Sequence, residues 1–199
     1  MDTKERLIGT TLNLIWSQGF SSVSVGDICK KTGINKGSFY HFFPSKTALG
    51  VAALEAAGKI MDQELDAIFH SNSTVEEIVD SLCKFLVGFQ NTKRSEVGMV
   101  CGCPFTSVGL EQSNINKEIA QVAKRKLDLF RGQLLKIAGM ASVRELIKPS
   151  QVKLKAEELF SCYLGTFVQI RLNNDLKALE NMKSLFSDIL CLNRKEVIK

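Results

Sequence analysis

The chain has 199 residues and a mass of 22.0 kDa, which suits one or two compact domains rather than a small disulfide scaffold. Its 45 % hydrophobic and 24 % charged residues exclude a disordered chain, and we expect no signal peptide and no membrane-spanning segment. The net charge of +5 is uneven, because the first 50 residues carry six lysines and arginines against three acids, and this weakly indicates a polyanionic partner.

The predicted elements are helices throughout, and the first spans residues 2–18. Asp2 begins it as part of a capping box, and apolar residues follow at helical spacing. A second capping box, Ser24 with Asp27, begins a short helix that ends at Gly33 after about two turns. A longer first helix and a short second helix, separated by a loop, are therefore expected.

A third short helix is predicted over 36–42, after the tight turn 33–35. Two short helices joined by a turn that contains glycine form a helix-turn-helix, whose second helix reads the major groove of DNA. Aromatic side chains fill five consecutive positions, 39–43, so both faces of this helix carry large rings. We expect the face with Phe39, Phe42 and Phe43 to join the core and the opposite face to meet DNA.

The remaining chain predicts an all-α body. A long helix is expected over 45–69, and further helices over 74–92, 104–113, 115–139, 151–173 and 176–191. We predict a helix-turn-helix DNA-binding domain at 1–46 and a larger helical effector-binding and dimerisation domain at 47–199.

The stretch GFSSVSVGDICKKTGINKGSFYHFFPSKTAL, residues 19–49, resembles the N-terminal signature of the TetR family of repressors. The resemblance implies a homodimer of all-helical subunits and a C-terminal body that binds a ligand. It also implies transcriptional repression at an operator, relieved by a small-molecule inducer. An inverted-repeat operator follows from the two-fold symmetry of such a dimer.

The expected DNA contacts lie at the starts of the helices and on the open face of the third helix. Lys46 enters the set because it matches the lysine with which the family contacts phosphate, and Gly37 because it allows close approach to the backbone. The set comprises Ser24, Asn35, Lys36, Gly37, Ser38, Tyr40, His41 and Lys46.

The last two predicted helices resemble the pair that forms the four-helix dimer interface of the family. The helix over 176–191 carries a wide apolar stripe. We expect the interface to contain Leu179, Met182, Phe186 and Ile189.

The segment MVCGCPF, residues 99–105, contains two cysteines, and four hypotheses compete for them. They are structural small residues, metal ligands, a catalytic nucleophile or a sensor of oxidants and electrophiles. Metal and catalysis are disfavoured because the chain has two histidines and one of them, His41, is assigned to DNA. Pro104 suits the first helical position, so Cys103 would be the N-cap, where the helix dipole stabilises a thiolate. Gly102 is expected to be flexible.

The fragments CGCPF and YLGTFVQIR resemble the N-ethylmaleimide-reductase repressor branch of the family and the acrylate-responsive regulators. That resemblance implies an effector site, and the first branch has a lysine where this chain has Arg171. Tyr163, Phe167 and Arg171 share one helical face. The expected effector residues are Cys103, Cys101, Phe105, Tyr163, Phe167 and Arg171.

The sequence thus predicts a cytoplasmic, homodimeric TetR-like repressor with no metal, no cofactor and no catalytic residues. One alternative keeps the repressor but gives it a non-covalent hydrophobic inducer and purely structural cysteines. A helical enzyme and a helical interaction scaffold are the remaining alternatives.

Overall fold

The computed structural model describes residues 2–69 and 73–193, and their regular elements are all helical. The helices are α1 (Thr3–Gln18), α2 (Val25–Thr32), α3 (Lys36–Phe42), α4 (Lys46–Phe69), α5 (Val75–Val97), α6 (Pro104–Gln112), α7 (Lys117–Val143), α8 (Val152–Asn173), α9 (Lys177–Glu180) and α10 (Met182–Ile189). A short 3₁₀ turn, Pro149–Gln151, precedes α8. The all-α prediction is confirmed. Among the described helices, none combines the length and the apolar character that crossing a bilayer requires.

The chain forms two compact units. The first comprises Met1–Gln63 and Cys103–Leu127, and the second comprises Glu64–Gly102 and Asp128–Lys199. The first unit therefore contains α1, α2, α3 and α6, together with the N-terminal parts of α4 and α7. The second contains α5, α8, α9 and α10 and the remainders of α4 and α7.

In the first unit, α1 provides the apolar stripe on which the short helices pack. The Asp2 carboxylate accepts the Glu5 backbone N–H at 2.7 Å, and the Glu5 carboxylate accepts the Asp2 N–H at 3.0 Å, which is the predicted capping box. Its buried residues recur at helical spacing, as predicted; they are Leu7, Thr11, Leu12, Ile15 and Trp16. The stripe positions α1 against α2 and α6.

The third helix buries one aromatic side and leaves the other open. Phe39 is completely buried and Phe43 nearly so, as the aromatic pattern predicted. Phe42, expected in the core with them, is only half-buried. The difference follows from helical geometry, because Phe42 lies 300° around the axis from Phe39 and points to the edge of the buried side.

The second unit packs α10 against both α5 and α8. The single helix predicted over 176–191 is broken into α9 and α10 at Asn181. Asparagine side chains compete with backbone hydrogen bonds inside helices, which makes this a suitable place for a break. The helix predicted over 74–92 continues to Val97, where Gly98 ends it in the left-handed conformation with φ of 84°.

Candidate functional site

The turn between α2 and α3 is held by backbone groups and by one side chain. Gly33 ends α2 in the left-handed conformation, with φ of 70°, and the Ile34 N–H donates to the Cys29 carbonyl at 3.1 Å. The Asn35 side chain then begins α3 by accepting the Ser38 backbone N–H at 2.8 Å. Two short helices joined by this turn are the helix-turn-helix that the sequence predicts.

The open side of α3 carries polar and aromatic groups that the protein itself does not cover. Tyr40 is 54 % exposed, and its ring packs edge-on against Phe39 with 5.1 Å between the centroids. The other expected contacts around it are also exposed, except Ser38, which is half-buried; they are Ser24, Asn35, Lys36, Gly37 and His41. The first turn of α3 therefore presents hydrogen-bonding groups to solvent, and their contact with DNA stays a prediction.

Lys46 differs from the other expected contacts because its ammonium already has partners in the protein. Its Nζ donates to the carbonyls of Phe20 at 2.9 Å and Val23 at 2.8 Å, and lies 4.4 Å from the centroid of the Phe20 ring. Burial lowers the pKa of Lys46, and the Glu111 carboxylate partly opposes this. An ammonium has three donors, so one remains for phosphate. The structure thus adds a bracing role to the predicted contact.

In the first unit, Cys103 is the N-cap of α6 and Pro104 is its first residue, as predicted. Cys103 has extended backbone, with φ of −92° and ψ of 124°, and its carbonyl accepts the Ser107 hydroxyl at 2.9 Å. Its thiol makes no capping hydrogen bond to the helix. Cys103 is 3 % exposed and Phe105 is 5 % exposed, so both side chains are buried.

In the second unit, the segment before Cys103 is clamped through its backbone. The Arg171 guanidinium donates to the Cys101 carbonyl at 2.8 Å, and Gln90 Nε2 donates to the Gly102 carbonyl at 2.8 Å. Gly102 has φ of 72°, and a Cβ there would lie 2.9 Å from the Phe167 carbonyl oxygen. The expected flexible glycine is therefore held in a conformation that only glycine adopts without strain.

The thiol of Cys101 lies in a buried setting. Burial raises its pKa, although the positive charges of Arg171 and Lys93 lower it in part. Burial likewise raises the pKa of Cys83 to about 12 and raises that of Cys162. These three thiols are consequently poor sources of thiolate at neutral pH.

Three aromatic rings of the second unit pack against one another at tilted angles. Tyr163 and Phe167 are one turn apart with 4.4 Å between their centroids, and Phe130 of α7 lies 4.5 Å from Tyr163. Both α8 rings are buried. Gln90 is 1 % exposed, and its Oε1 accepts no hydrogen bond from the residues that the structure describes. Gln90 is not among the residues expected from the sequence, because a glutamine within a regular helical pattern gives no sign of its partners.

A family model of bacterial regulatory proteins, the tetR family, matches residues 7–53, which contain α1, α2 and α3. Residues 7–53 are a TetR-family N-terminal domain. The HTH-type transcriptional repressor NemR of Escherichia coli (strain K12) is similar over 195 residues at 25 % identity, covering 95 % of this chain and 94 % of that protein.

Solved structures extend the likeness over the described chain. The crystal structure of the reduced form of E. coli NemR superposes with a TM-score of 0.77 at 22 % identity, covering 94 % of this chain and 97 % of that one. A TetR transcriptional regulator from Legionella pneumophila superposes with a TM-score of 0.81 at 21 % identity, with the same coverage. The fold is therefore the TetR-family fold.

The residues expected at a dimer interface differ in how much of their surface is exposed in the single chain. Leu179, Met182 and Phe186 are completely buried within the single chain, and Ile189 is half-buried. A side chain with no exposed surface has none left to bury against a partner. These three residues belong to the core of the single chain. The exposed large apolar side chains of α8 and α10 are Leu154, Val168, Leu172 and Leu185.

The bracing role of Lys46 leads to a stability prediction for this TetR-family domain. Lys46→Met keeps most of the aliphatic stem but leaves the carbonyls of Phe20 and Val23 without their donor. Hydrogen bonds to charged groups contribute about 1.5–3 kcal/mol, so we expect a loss of roughly that size in the free energy of unfolding. Urea unfolding followed by circular dichroism measures it.

Lys59→Met is the matched control, since Lys59 is exposed on the same helix, α4. We expect it to change the unfolding free energy by no more than about 0.5 kcal/mol. Equal effects of the two substitutions would show that the Lys46 ammonium does not brace the loop.

Proposed function

We propose that the protein is a homodimeric transcriptional repressor that binds an inverted-repeat operator and is released by a small molecule or a reactive electrophile. The observation that carries the proposal is the exposed polar side of α3, on a helix-turn-helix that lies within the TetR-family segment 7–53. The whole-length similarity to a transcriptional repressor, E. coli NemR, supports the same assignment.

The chemistry of this side of α3 suits DNA. Lys36 supplies a positive charge for phosphate, and Tyr40 and His41 supply hydrogen-bonding groups that reach beyond the backbone. Gly37 leaves space where the start of the helix approaches the phosphates. The Asn35 cap fixes the first turn of α3, so these groups are presented by a rigid element rather than by a loop.

DNA binding is tested on a duplex selected from a random-sequence pool with the wild-type protein. Lys36→Ala removes one phosphate contact, so we expect weaker binding and a slope of log affinity against log salt that is flatter by about one. Tyr40→Ala and His41→Ala should weaken binding without unfolding the protein. Fluorescence anisotropy at several salt concentrations measures both quantities.

The control for charge is Lys59→Ala. Lys59 lies 13 residues after Lys46, the first residue of α4, and therefore about 20 Å along the helix axis from the helix-turn-helix end of α4. Its affinity and salt slope should match the wild type. The selected sequences should contain an inverted repeat, and recovery of a single asymmetric half-site would contradict the dimeric operator complex.

For the homodimer, we propose the exposed apolar face of α8 as a central part of the interface. Val168 and Leu172 are one helical turn apart, and Leu154 lies close to four turns before Val168, so the three share a face. Exposed large apolar side chains that share one helix face are typical of surfaces that a partner covers. Leu185 of α10 adds a fourth exposed apolar residue to this region.

Leu172→Asp tests this interface, because it places a charge on a side chain that is 79 % exposed in the single chain. We expect monomers in sedimentation velocity, with a normal circular dichroism spectrum. Val143→Asp is the control: Val143 is 85 % exposed on α7, and this variant should sediment like the wild type. A Leu172→Asp dimer as stable as the wild type would exclude this face of α8.

For induction, we propose that the Cys103 thiolate adds to an activated carbon–carbon double bond. The sulfur forms a bond to the β-carbon, and the adjacent carbon takes up a proton, so the addition requires neither an oxidant nor a leaving group. Cys103 lies at the N-terminus of α6. Exposure alone would favour reaction at the half-buried Cys162 and Cys191. Because Cys103 is buried, its reaction requires a transient local opening of the structure.

Treatment with N-ethylmaleimide separates these thiols. We expect mass spectrometry to find the adduct on Cys103 before the other five cysteines, and the treated protein to release the selected duplex. Cys103→Ser should bind the duplex and remain bound after treatment, whereas the control Cys191→Ser should be released like the wild type. Normal release of Cys103→Ser, or slower labelling of Cys103 than of Cys29 or Cys191, would make Cys103 a structural residue.

A non-covalent inducer is the second candidate. Buried side chains of the second unit favour it. Gln90 Oε1 has no donor among the described residues, and the Phe130, Tyr163 and Phe167 rings supply apolar surface in the same unit. Such surroundings would suit an apolar or aromatic molecule with one hydrogen-bond donor. Release of Cys103→Ser by such molecules, but not by N-ethylmaleimide, would identify this mode.

A further inference from the structure

The loop between α1 and α2, residues 19–24, is held by two oppositely charged side chains from other helices of the first unit. The Glu111 carboxylate of α6 accepts the backbone N–H of Phe20 and that of Ser21, each at 2.7 Å. Lys46 of α4 donates to the carbonyls of Phe20 and Val23. Both backbone groups of Phe20 are therefore bound by a charged side chain.

The contact with Glu111 is built into the loop rather than lying on its surface. Gly19 adopts φ of 90°, and a Cβ there would lie 3.2 Å from Glu111 Oε2, so the backbone passes close to the carboxylate. The neighbouring Gln112 is 1 % exposed, and its Nε2 donates to the Ser21 hydroxyl at 2.9 Å. Two consecutive residues of α6 thus bind this loop.

The charge on Glu111 is maintained at neutral pH. Burial raises the pKa of its carboxyl, but hydrogen bonds from Ser21, Phe20 and Gln112 more than offset that effect, and the pKa lies below its ordinary value. Hydrogen bonds with an ionised acceptor are shorter and stronger than neutral ones. The two backbone N–H groups therefore have a strong partner.

The loop leads directly into the helix-turn-helix. Its last residue, Ser24, begins α2, since the hydroxyl accepts the Asp27 N–H at 3.1 Å and the Asp27 carboxylate accepts the Ser24 N–H at 2.9 Å. A displacement of the loop would therefore move the start of α2. Because α2 packs against both α1 and α3, the orientation of α3 depends on this loop.

At its other end, α6 begins with Cys103. Glu111 lies eight residues further on, about 12 Å along the helix axis. A short α-helix transmits an axial shift along its length, because its backbone hydrogen bonds connect every turn. A shift of about 1 Å would carry hydrogen bonds of 2.7 Å beyond the range in which they stabilise.

We propose that Glu111 is the positioning residue through which α6 holds the helix-turn-helix in its DNA-binding orientation and releases it on induction. This inference rests on the proposed function. Glu111 does not touch DNA in this scheme; it acts on affinity through the α1–α2 loop. The Lys46 brace belongs to α4, so loss of the Glu111 contact leaves the loop held by Lys46 and by the single hydrogen bond from the Gln112 amide.

Three variants test the role of Glu111. Glu111→Gln keeps the size but removes the charge and replaces one acceptor by an amide N–H₂ group, and Glu111→Asp keeps the charge but shortens the reach. Glu118→Gln is the control for charge, because Glu118 is an exposed glutamate of the same unit, on α7. Circular dichroism verifies that each variant folds.

The first measurement is affinity for the selected duplex together with hydrogen exchange of the amides of residues 20 and 21. We expect Glu111→Gln to bind about tenfold more weakly, with faster exchange at both amides, and Glu111→Asp to lie between it and the wild type. Glu118→Gln should remain within about twofold of the wild type. Folded Glu111→Gln protein with wild-type affinity and exchange would overturn the proposal.

The second measurement is the ratio of duplex dissociation constants after and before N-ethylmaleimide treatment. Allosteric coupling commonly changes affinity about 5- to 150-fold. We expect the wild type and Glu118→Gln to share one ratio, and the ratio of Glu111→Gln to fall toward one. A full ratio in Glu111→Gln would overturn its role in release.

The outcomes separate this inference from the proposed function. A wild-type protein that binds no duplex removes both. A wild type that binds the duplex, alongside a folded Glu111→Gln variant that binds equally well, removes this inference alone. If the wild type binds the duplex but is not released by N-ethylmaleimide, the affinity and hydrogen-exchange results still decide whether Glu111 positions the helix-turn-helix.

Discussion

The backbone of Phe20 is the point on which the arrangement of the first unit depends. Its N–H is bound by the Glu111 carboxylate and its carbonyl by the Lys46 ammonium, while its own side chain is buried. Backbone polar groups beside a buried ring must find partners, because an unpaired group costs about 1–3 kcal/mol. In a loop that has no helical partners to offer, two charged side chains meet this requirement and tie α4 and α6 to the same residue.

The same principle operates in the segment 100–102 of the second unit. The Val100 N–H donates to the Asn174 side chain at 2.9 Å, and the carbonyls of the next two residues accept from Arg171 and Gln90. This segment is irregular, so side chains supply the hydrogen bonds that a helix would supply for itself. The guanidinium of Arg171 is thus engaged with backbone, which is a structural reason for its presence beside any role toward an effector.

The helix-turn-helix shows how much a short sequence can specify when local signals agree. Two capping residues, a glycine that ends α2 and an aromatic cluster all predict the same boundaries, and the structure has them within about one residue. The apolar stripe of 176–191 was ambiguous by comparison. Leu179, Met182 and Phe186 of this stripe pack inside the single chain, and exposed large apolar side chains lie on α8 instead. Periodicity states that a face is buried but not which surface covers it.

The sequence by itself determined the all-α class, the helix-turn-helix with its caps and turn, and the placement of Cys103 before Pro104 at a helix N-terminus. These features depend on residues within four positions of one another, so local rules of capping and backbone conformation suffice. Only the tertiary structure decided that Glu111 and Lys46 bind Phe20 from 91 and 26 residues away. It likewise decided that Gln90 and Arg171 hold the cysteine segment. A charged or polar residue on a helix has the same local pattern whether it faces solvent or a distant backbone group, and only the packing of helices separates the two.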